Sequence, residues 1–315
     1  VASKEQTIDG EELKKIIHAN NINMMQATPS TWRLLLASDW TGSKDFKVLC
    51  GGEPFPKDLA QKLCPISCEV WNMYGPTETT VWSTCHKVSL NDLKMYIGRP
   101  IDNTGIYILD DELKPVPIGT TGEMYISGEG LALGYKGRDD LTNAVFVKSP
   151  YLGDLNIYNT GDLARYHFDG RLECLGRNDG QVKVRGYRIE LGEIESIISK
   201  FTGVLETVVI TREDIPGDVR IVAYLRIEGE KLNQIGIRKF ISTSLPNYMI
   251  PSHFIVLDVF PKTLNEKIDK KKLKSSEHRP GKISANIPKN QVSKSIPSIL
   301  KKEKVVDIKD SIRDI

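Results

Sequence analysis

The chain has 315 residues, 40% of them hydrophobic and 27% charged, which is globular material sufficient for two domains and part of a third. A formal net charge of +2 leaves no basic footprint for nucleic acid. No apolar run approaches the roughly 20 residues that span a bilayer and no secretory signal opens the chain, so a cytoplasmic setting without a membrane partner is expected.

Residues 1–75 alternate helix and strand signals. Asp9 and Glu12 have capping-box spacing, and Leu13, Ile16 and Ile17 then form an apolar helix stripe. Segments 22–25 and 47–50 read as short buried strands, and Pro29 and Pro56 stand where the next helices begin. From about 80 to 175 the pattern turns to short strands at 106–109, 123–126 and 172–175, punctuated by Gly119, Gly122, Gly128 and Gly130. Asn178-Asp179-Gly180 is a turn signal and marks a boundary. Beyond it, 193–201 reads as an amphipathic helix with Ile194, Ile197, Ile198 and Phe201 on one face. Strands are expected at 208–210 and 221–225, and Ile237, Phe240 and Ile241 mark a second helix. After Ser275 the chain is polar and rich in Lys, Ser and Pro, which reads as a linker. The cysteines at 50, 64, 68, 85 and 174 are odd in number and lack zinc-site spacing, so free thiols are expected.

Four segments carry chemistry. Asn72-Met73-Tyr74-Gly75-Pro76-Thr77-Glu78 follows a strand at 68–71; a Gly-Pro turn there can present a hydroxyl, a carboxylate and an aromatic ring together, or can be a plain surface turn. Tyr158-Asn159-Thr160-Gly161-Asp162-Leu163 sets a carboxylate after Thr-Gly, suited to accepting two ribose hydroxyls, although Thr-Gly-Asp alone is a common turn. In the segment 176–190, Val182 and Val184 alternate with Lys183 and Arg185, giving a strand whose cationic face suits a phosphate or simply guards an edge. Asn265-Glu266-Lys267-Ile268-Asp269-Lys270 offers a loop lysine that can act as a point charge, within a lysine-crowded stretch from Lys262 to Lys304 that otherwise reads as solvated.

The order and spacing of these segments resemble the adenylation domains of nonribosomal peptide synthetases, in the superfamily shared with acyl-CoA synthetases and luciferases. The likeness runs from about residue 5 to 275 and includes Gly122-Glu123-Met124-Tyr125-Ile126-Ser127-Gly128-Glu129-Gly130, Gly134-Tyr135 and Leu245-Pro246-Asn247-Tyr248-Met249-Ile250-Pro251. The resemblance implies α/β plus a β-barrel-like subdomain over 1–178, the β-rich part starting at about 80. A small mobile α+β C-terminal domain would follow over 179–275, and 276–315 would be a linker and the beginning of a carrier domain, with carrier-like features from 286. It implies ATP and Mg²⁺ as cofactors. Tyr74 would lie against adenine, Thr77 would bond a phosphate, Glu78 would bind the metal, Asp162 would hold the ribose, and Asn72, Arg177, Gly51 and Gly52 would complete the nucleotide site. Asp179 would be the hinge and Lys267 the mobile catalytic lysine; the family has Gly where this chain has Glu266.

The implied reaction is attack of an amino-acid carboxylate on the α-phosphate of ATP with loss of pyrophosphate, then transfer to the phosphopantetheine thiol of a carrier domain, with condensation domains as further partners. The side-chain pocket falls on Gln26, Leu49, Gly51, Met73, Val81 and Trp82, a set without charge and with bulk at Met73 and Trp82, which points to glycine and then alanine. The upstream half of the domain and the carrier's Gly-Gly-x-Ser are expected outside these residues, so the isolated chain is expected to be inactive. An acyl-CoA or aryl-acid ligase of the same superfamily and a non-catalytic module fragment are the competing readings.

Overall fold

The computed structural model describes residues 2–153, 155–177, 181–215, 217–229, 232–263 and 266–275. The expected hinge Asp179 and the expected linker and carrier start at 276–315 lie outside them. The chain divides into two compact units, residues 1–259 and 260–315.

The first unit opens with α1 (Lys4–Thr7) and α2 (Gly10–Ala19). Asp9 caps α2 by accepting from the Glu11 and Glu12 N–H groups, as its spacing predicts, whereas the Glu12 carboxylate pairs with Lys15 rather than closing the box. Strands β1 (Met24–Ala27), β2 (Ser43–Gly51) and β3 (Ser67–Tyr74) are parallel neighbours. Such strands need crossovers, and α3 (Pro29–Ala37) and α4 (Lys57–Leu63) supply them. Thr28 caps α3 with Pro29 at its first position, where a missing N–H costs nothing. Strands β4 (Thr84–Lys87) and β5 (Arg99–Pro100) extend the sheet in the order β1-β2-β3-β4-β5. Trp32, Leu35, Trp40, Phe46, Val48, Leu59 and Leu63 fill its core.

The β-rich segment forms a second sheet from β6 (Thr104–Leu109), β7 (Gly122–Gly128), β8 (Phe146–Ser149), β9 (Leu155–Tyr166) and β10 (Leu172–Arg177), in the order β10-β9-β7-β6 with β8 on β9. Helix α5 (Asp139–Val145) lies between β7 and β8 in sequence. The Thr-Gly-Asp turn is present but embedded in β9. The register with β7 steps from Glu123 opposite Leu163 to Tyr125 opposite Asn159, so β9 bulges, and Gly161 takes φ +72° inside the bulge.

A hairpin follows, β11 (Val182–Val184) with β12 (Tyr187–Ile189), and then α6 (Leu191–Ile198). A third sheet joins β13 (Val204–Arg212), β14 (Arg220–Ile227) and β15 (His253–Val256), with α7 (Gln234–Ser242) between the last two. Ile194, Ile198, Val209, Ala223, Leu225, Ile237 and Ile241 make a core of its own under this sheet. The described part of the second unit holds α8 (Lys270–Leu273), capped by Asp269.

Candidate functional site

The parallel strands place the expected pocket residues by register. Gln26 pairs with Leu49, and Gly51 with Met73, so these four gather at the C-terminal ends of β1, β2 and β3, where open α/β sheets bind ligands. A Cβ on Gly51 would stand 2.6 Å from the Met73 carbonyl oxygen, so the strands close up only around a glycine there. Asn72 is buried and donates through Nδ2 to the Tyr96 carbonyl at 2.7 Å.

β3 ends at Tyr74, and Gly75-Pro76 passes the chain into a 3₁₀ turn, Thr77–Thr79. Thr77 is exposed at its start and Glu78 is buried within it. Thr80 and Val81 follow with φ +59° and +69°, a conformation that a β-branched residue adopts only under constraint. The Ser83 N–H returns to the Tyr74 carbonyl at 2.8 Å and fixes that loop, including Trp82.

The bulge in β9 delivers Asp162 to the same place. Thr160 Oγ1 donates to the Met124 carbonyl at 2.7 Å, and the Asp162 N–H donates back to Thr160 Oγ1 at 3.0 Å, so the carboxylate is aimed by its own turn. Tyr74 Oη donates to Asp162 Oδ2 at 2.5 Å, joining the first sheet to the second. Arg177 Nη1 stands 3.5 Å from Asp162 Oδ1, and Lys183 Nζ lies 5.5 Å from the centre of the Tyr74 ring. Burial first, and then the Asp162 charge, push the Tyr74 phenol well above its ordinary range, so it stays a donor. Burial pulls the Lys183 ammonium downward against the opposing pull of Asp162.

Glu78 forms a second centre. Its Oε1 accepts from Tyr135 Oη at 2.5 Å and from Arg188 Nη1 at 3.0 Å, and Arg188 Nη1 also meets Tyr158 Oη at 3.2 Å. Burial raises the Glu78 carboxyl, but the Tyr135 hydrogen bond, its own backbone N–H and Arg188 outweigh it and hold the group below the usual range. Glu78 Oε2 is buried with no hydrogen-bond partner among the described residues. A cation would satisfy Oε2. Among the described residues no three His, Cys, Asp or Glu side chains cluster as a metal cage. Mg²⁺ is nevertheless commonly held by one or two carboxylates together with the phosphates of its substrate rather than by a protein cage.

The cationic face differs from the expected one. Arg185 is not on it, because Arg185 and Gly186, with φ +52° and +80°, form the hairpin turn; Lys183 instead pairs across the hairpin with Arg188. Tyr135, Tyr158 and Arg188 thus gather at Glu78, although the motifs that contain them gave these residues no role. For Arg188 the signal was the Gly186 turn, which mirrors 183 onto 188.

The second unit carries Lys267, exposed, with its carbonyl accepting from the Thr263 N–H at 2.7 Å. Glu266 has φ +60°, the conformation that explains a glycine preference at that position. Its carboxylate turns to Lys262 Nζ at 2.8 Å.

Residues 1–136 match the AMP-binding enzyme family and residues 193–267 match the AMP-binding enzyme C-terminal domain. A dimodular nonribosomal peptide synthase of Bacillus subtilis (strain 168) is 44% identical over 276 residues, covering 87% of this chain and 12% of the synthase. Bacitracin synthase 1 of Bacillus licheniformis is 36% identical over 312 residues, covering 95% of this chain and 6% of that protein. Among solved structures, a holo four-domain nonribosomal peptide synthetase bound to AMP and glycine aligns with a TM-score of 0.56 at 43% identity, over 86% of this chain and 20% of that one. A holo protein with adenylation and PCP domains, bound to a vinylsulfonamide inhibitor, aligns with a TM-score of 0.74 at 29% identity, over 84% of this chain and 46% of that one. The chain therefore spans a small part of the synthetases it matches. It belongs to the AMP-binding enzymes, and within them it is adenylation-domain sequence of the nonribosomal peptide synthetase kind. No helix among the described residues is long and apolar enough to cross a membrane.

Proposed function

We propose that the protein carrying this chain activates an amino acid as its aminoacyl adenylate and passes it to the phosphopantetheine thiol of a carrier domain. The observation that carries this reading is the meeting of Tyr74, Asp162 and Arg177 from two sheets beside the Glu78 turn. In the first step a carboxylate oxygen of the amino acid bonds to the α-phosphorus of ATP, the bond from that phosphorus to the bridging oxygen breaks, and pyrophosphate leaves. In the second the carrier thiolate attacks the acyl carbon and AMP leaves.

Tyr74 offers an aromatic face for adenine, and Asp162 an acceptor pair for the ribose hydroxyls. Thr77 donates to a phosphate, while Asn72, Gly51 and Gly52 line the nucleotide. Glu78 would hold Mg²⁺ through Oε2, and the ion, when bound, neutralises charge on the phosphates. Lys267 is assigned the transition-state charge at the carboxylate and α-phosphate. Asp179 is assigned the hinge, and residues 179–275 the mobile lid. The separate core under β13–β15 and the C-terminal family match at 193–267 support that division. Residues 276–315 are assigned to a linker and the beginning of a carrier domain, so condensation and carrier domains of the same synthetase are the partners.

Glycine is the proposed substrate, with alanine next. The pocket set holds no charged side chain, and Met73 and Trp82 add bulk. One similar solved protein is described as bound to glycine. Amino-acid-dependent ATP–pyrophosphate exchange by the full-length protein across the amino acids tests this. Glycine should lead, alanine following by the 1–3 kcal/mol, roughly, that one methyl is worth. A preference for a large or charged amino acid would overturn the assignment.

A further inference from the structure

Glu53 is neither a nucleotide residue nor a pocket residue, yet it joins two parts of the fold far apart in sequence. It follows β2 directly, after Gly51-Gly52. Its Oε2 accepts from Ser30 Oγ, in the first turn of α3, at 3.2 Å. The first-turn N–H groups have no partner inside their own helix, and a negative charge there is favoured by the helix dipole. Its Oε1 accepts from the Gly186 N–H at 2.6 Å. One half-buried carboxylate thus ties the head of α3 to the tip of the β11–β12 hairpin.

The hairpin tip is shaped for this contact. Arg185 and Gly186 both have positive φ and make the turn, from which the Gly186 N–H leaves for Glu53. A Cβ on Gly186 would stand 2.9 Å from Thr28 Cγ2, and a Cβ on Gly52 would stand 3.9 Å from the Gly186 Cα. The tip therefore lies against Thr28, where a Cβ on Gly186 would crowd the methyl, and at ordinary contact distance from Gly52. The same seating carries Lys183 to the Tyr74 ring and Arg188 to Glu78.

We propose that Glu53 is a positioning residue that seats the 182–189 hairpin tip on the nucleotide-binding core, and that this seating serves the carrier-loading step rather than adenylate formation. The assignment to a step rests on the function proposed above. The seating itself rests on geometry alone. With Arg188 on Glu78 Oε1, the seated hairpin occupies part of the carboxylate assigned to the metal of the first step, so the seated arrangement suits the step in which pyrophosphate has already left.

The test uses the full-length protein with Glu53→Ala, Glu53→Gln and Gly186→Ala. Three quantities are read: glycine-dependent ATP–pyrophosphate exchange, aminoacyl loading of the carrier, and deuterium uptake by peptides covering 182–189 and 204–212. Glu53→Ala should slow loading on the order of tenfold, as loss of one charge-assisted hydrogen bond would, with exchange within about twofold of wild type. Uptake should rise in 182–189 and stay unchanged in 204–212. Glu53→Gln, which keeps an acceptor for the Gly186 N–H, should recover part of the loading rate. Gly186→Ala, which pushes the tip from Thr28, should follow Glu53→Ala. Unchanged uptake in 182–189 would overturn the seating. Exchange and loading falling together, or loading at the wild-type rate, would overturn its assignment to carrier loading. Absence of exchange in the wild-type protein would instead count against the proposed function, and the uptake measurement would still decide the seating.

Discussion

Replacing Asp162 with Asn probes the centre of the site with little change of shape. Asp162 is 6% exposed, accepts from Tyr74 Oη at 2.5 Å and faces Arg177 Nη1 at 3.5 Å. An amide oxygen can still accept from Tyr74, so that contact falls from a charge-assisted to a neutral hydrogen bond, a loss of about 1 kcal/mol. Arg177 and Lys183 lose the Asp162 charge in a largely buried place, which costs about 1–2 kcal/mol more, less than the 3–5 kcal/mol, roughly, of a fully buried close pair. The expected destabilisation is about 2–3 kcal/mol, read as a lower midpoint of urea unfolding with unchanged slope. Nucleotide affinity should fall further, because an amide offers one acceptor oxygen where two hydroxyls need two. Isothermal titration with AMP reads that loss independently of any turnover. An Asn variant that unfolds at the wild-type midpoint and binds AMP with wild-type affinity would refute the reasoning from charge and burial.

Lys267→Ala should lower adenylation by roughly 10²–10³ while largely sparing transfer from supplied adenylate, measured as separate half-reactions; equal losses would contradict the assigned role. Asp179→Pro fixes φ near −65° and should impair one half-reaction much more than the other, whereas near-wild-type rates in both would remove Asp179 as the hinge. Glu173 is buried, which raises its carboxyl, but Lys94, His167 and Arg165 hydrogen-bond it and hold it down at about 2. A depressed carboxyl contributes stability above its unfolded pKa and loses it as pH falls, here between 4.5 and about 2. Glu173→Gln should flatten acid unfolding across that window, and an unchanged acid limb would remove Glu173 as a source of the pH dependence.

Local signals carried well where the physics is local. Asp9 caps α2 by bonds to neighbours two and three residues away, and Pro29 stands at the first position of α3, so both helix starts were legible from local sequence. The Gly-Pro turn after β3 was legible for the same reason. β9 was not, because the Gly161 bulge interrupts the alternation and makes a twelve-residue strand look like two strand ends around a turn. The hairpin register was hidden by Arg185, an unusual residue at positive φ where Asn or Asp would have announced the turn. Contacts that define the site are non-local: Tyr135 reaches Glu78 across 57 residues and the Gly186 N–H reaches Glu53 across 133. No periodicity records such pairs, and only the fold brings them together.

AMP-forming activation of an amino acid is the central claim. The most direct measurement incubates the full-length protein with α-labelled ATP, Mg²⁺ and glycine, and identifies the labelled product. The expected product is AMP, free or held as glycyl adenylate, formed only when the amino acid is present and reduced by Asp162→Asn. Labelled ADP, or AMP formed equally without any amino acid, would contradict the claim.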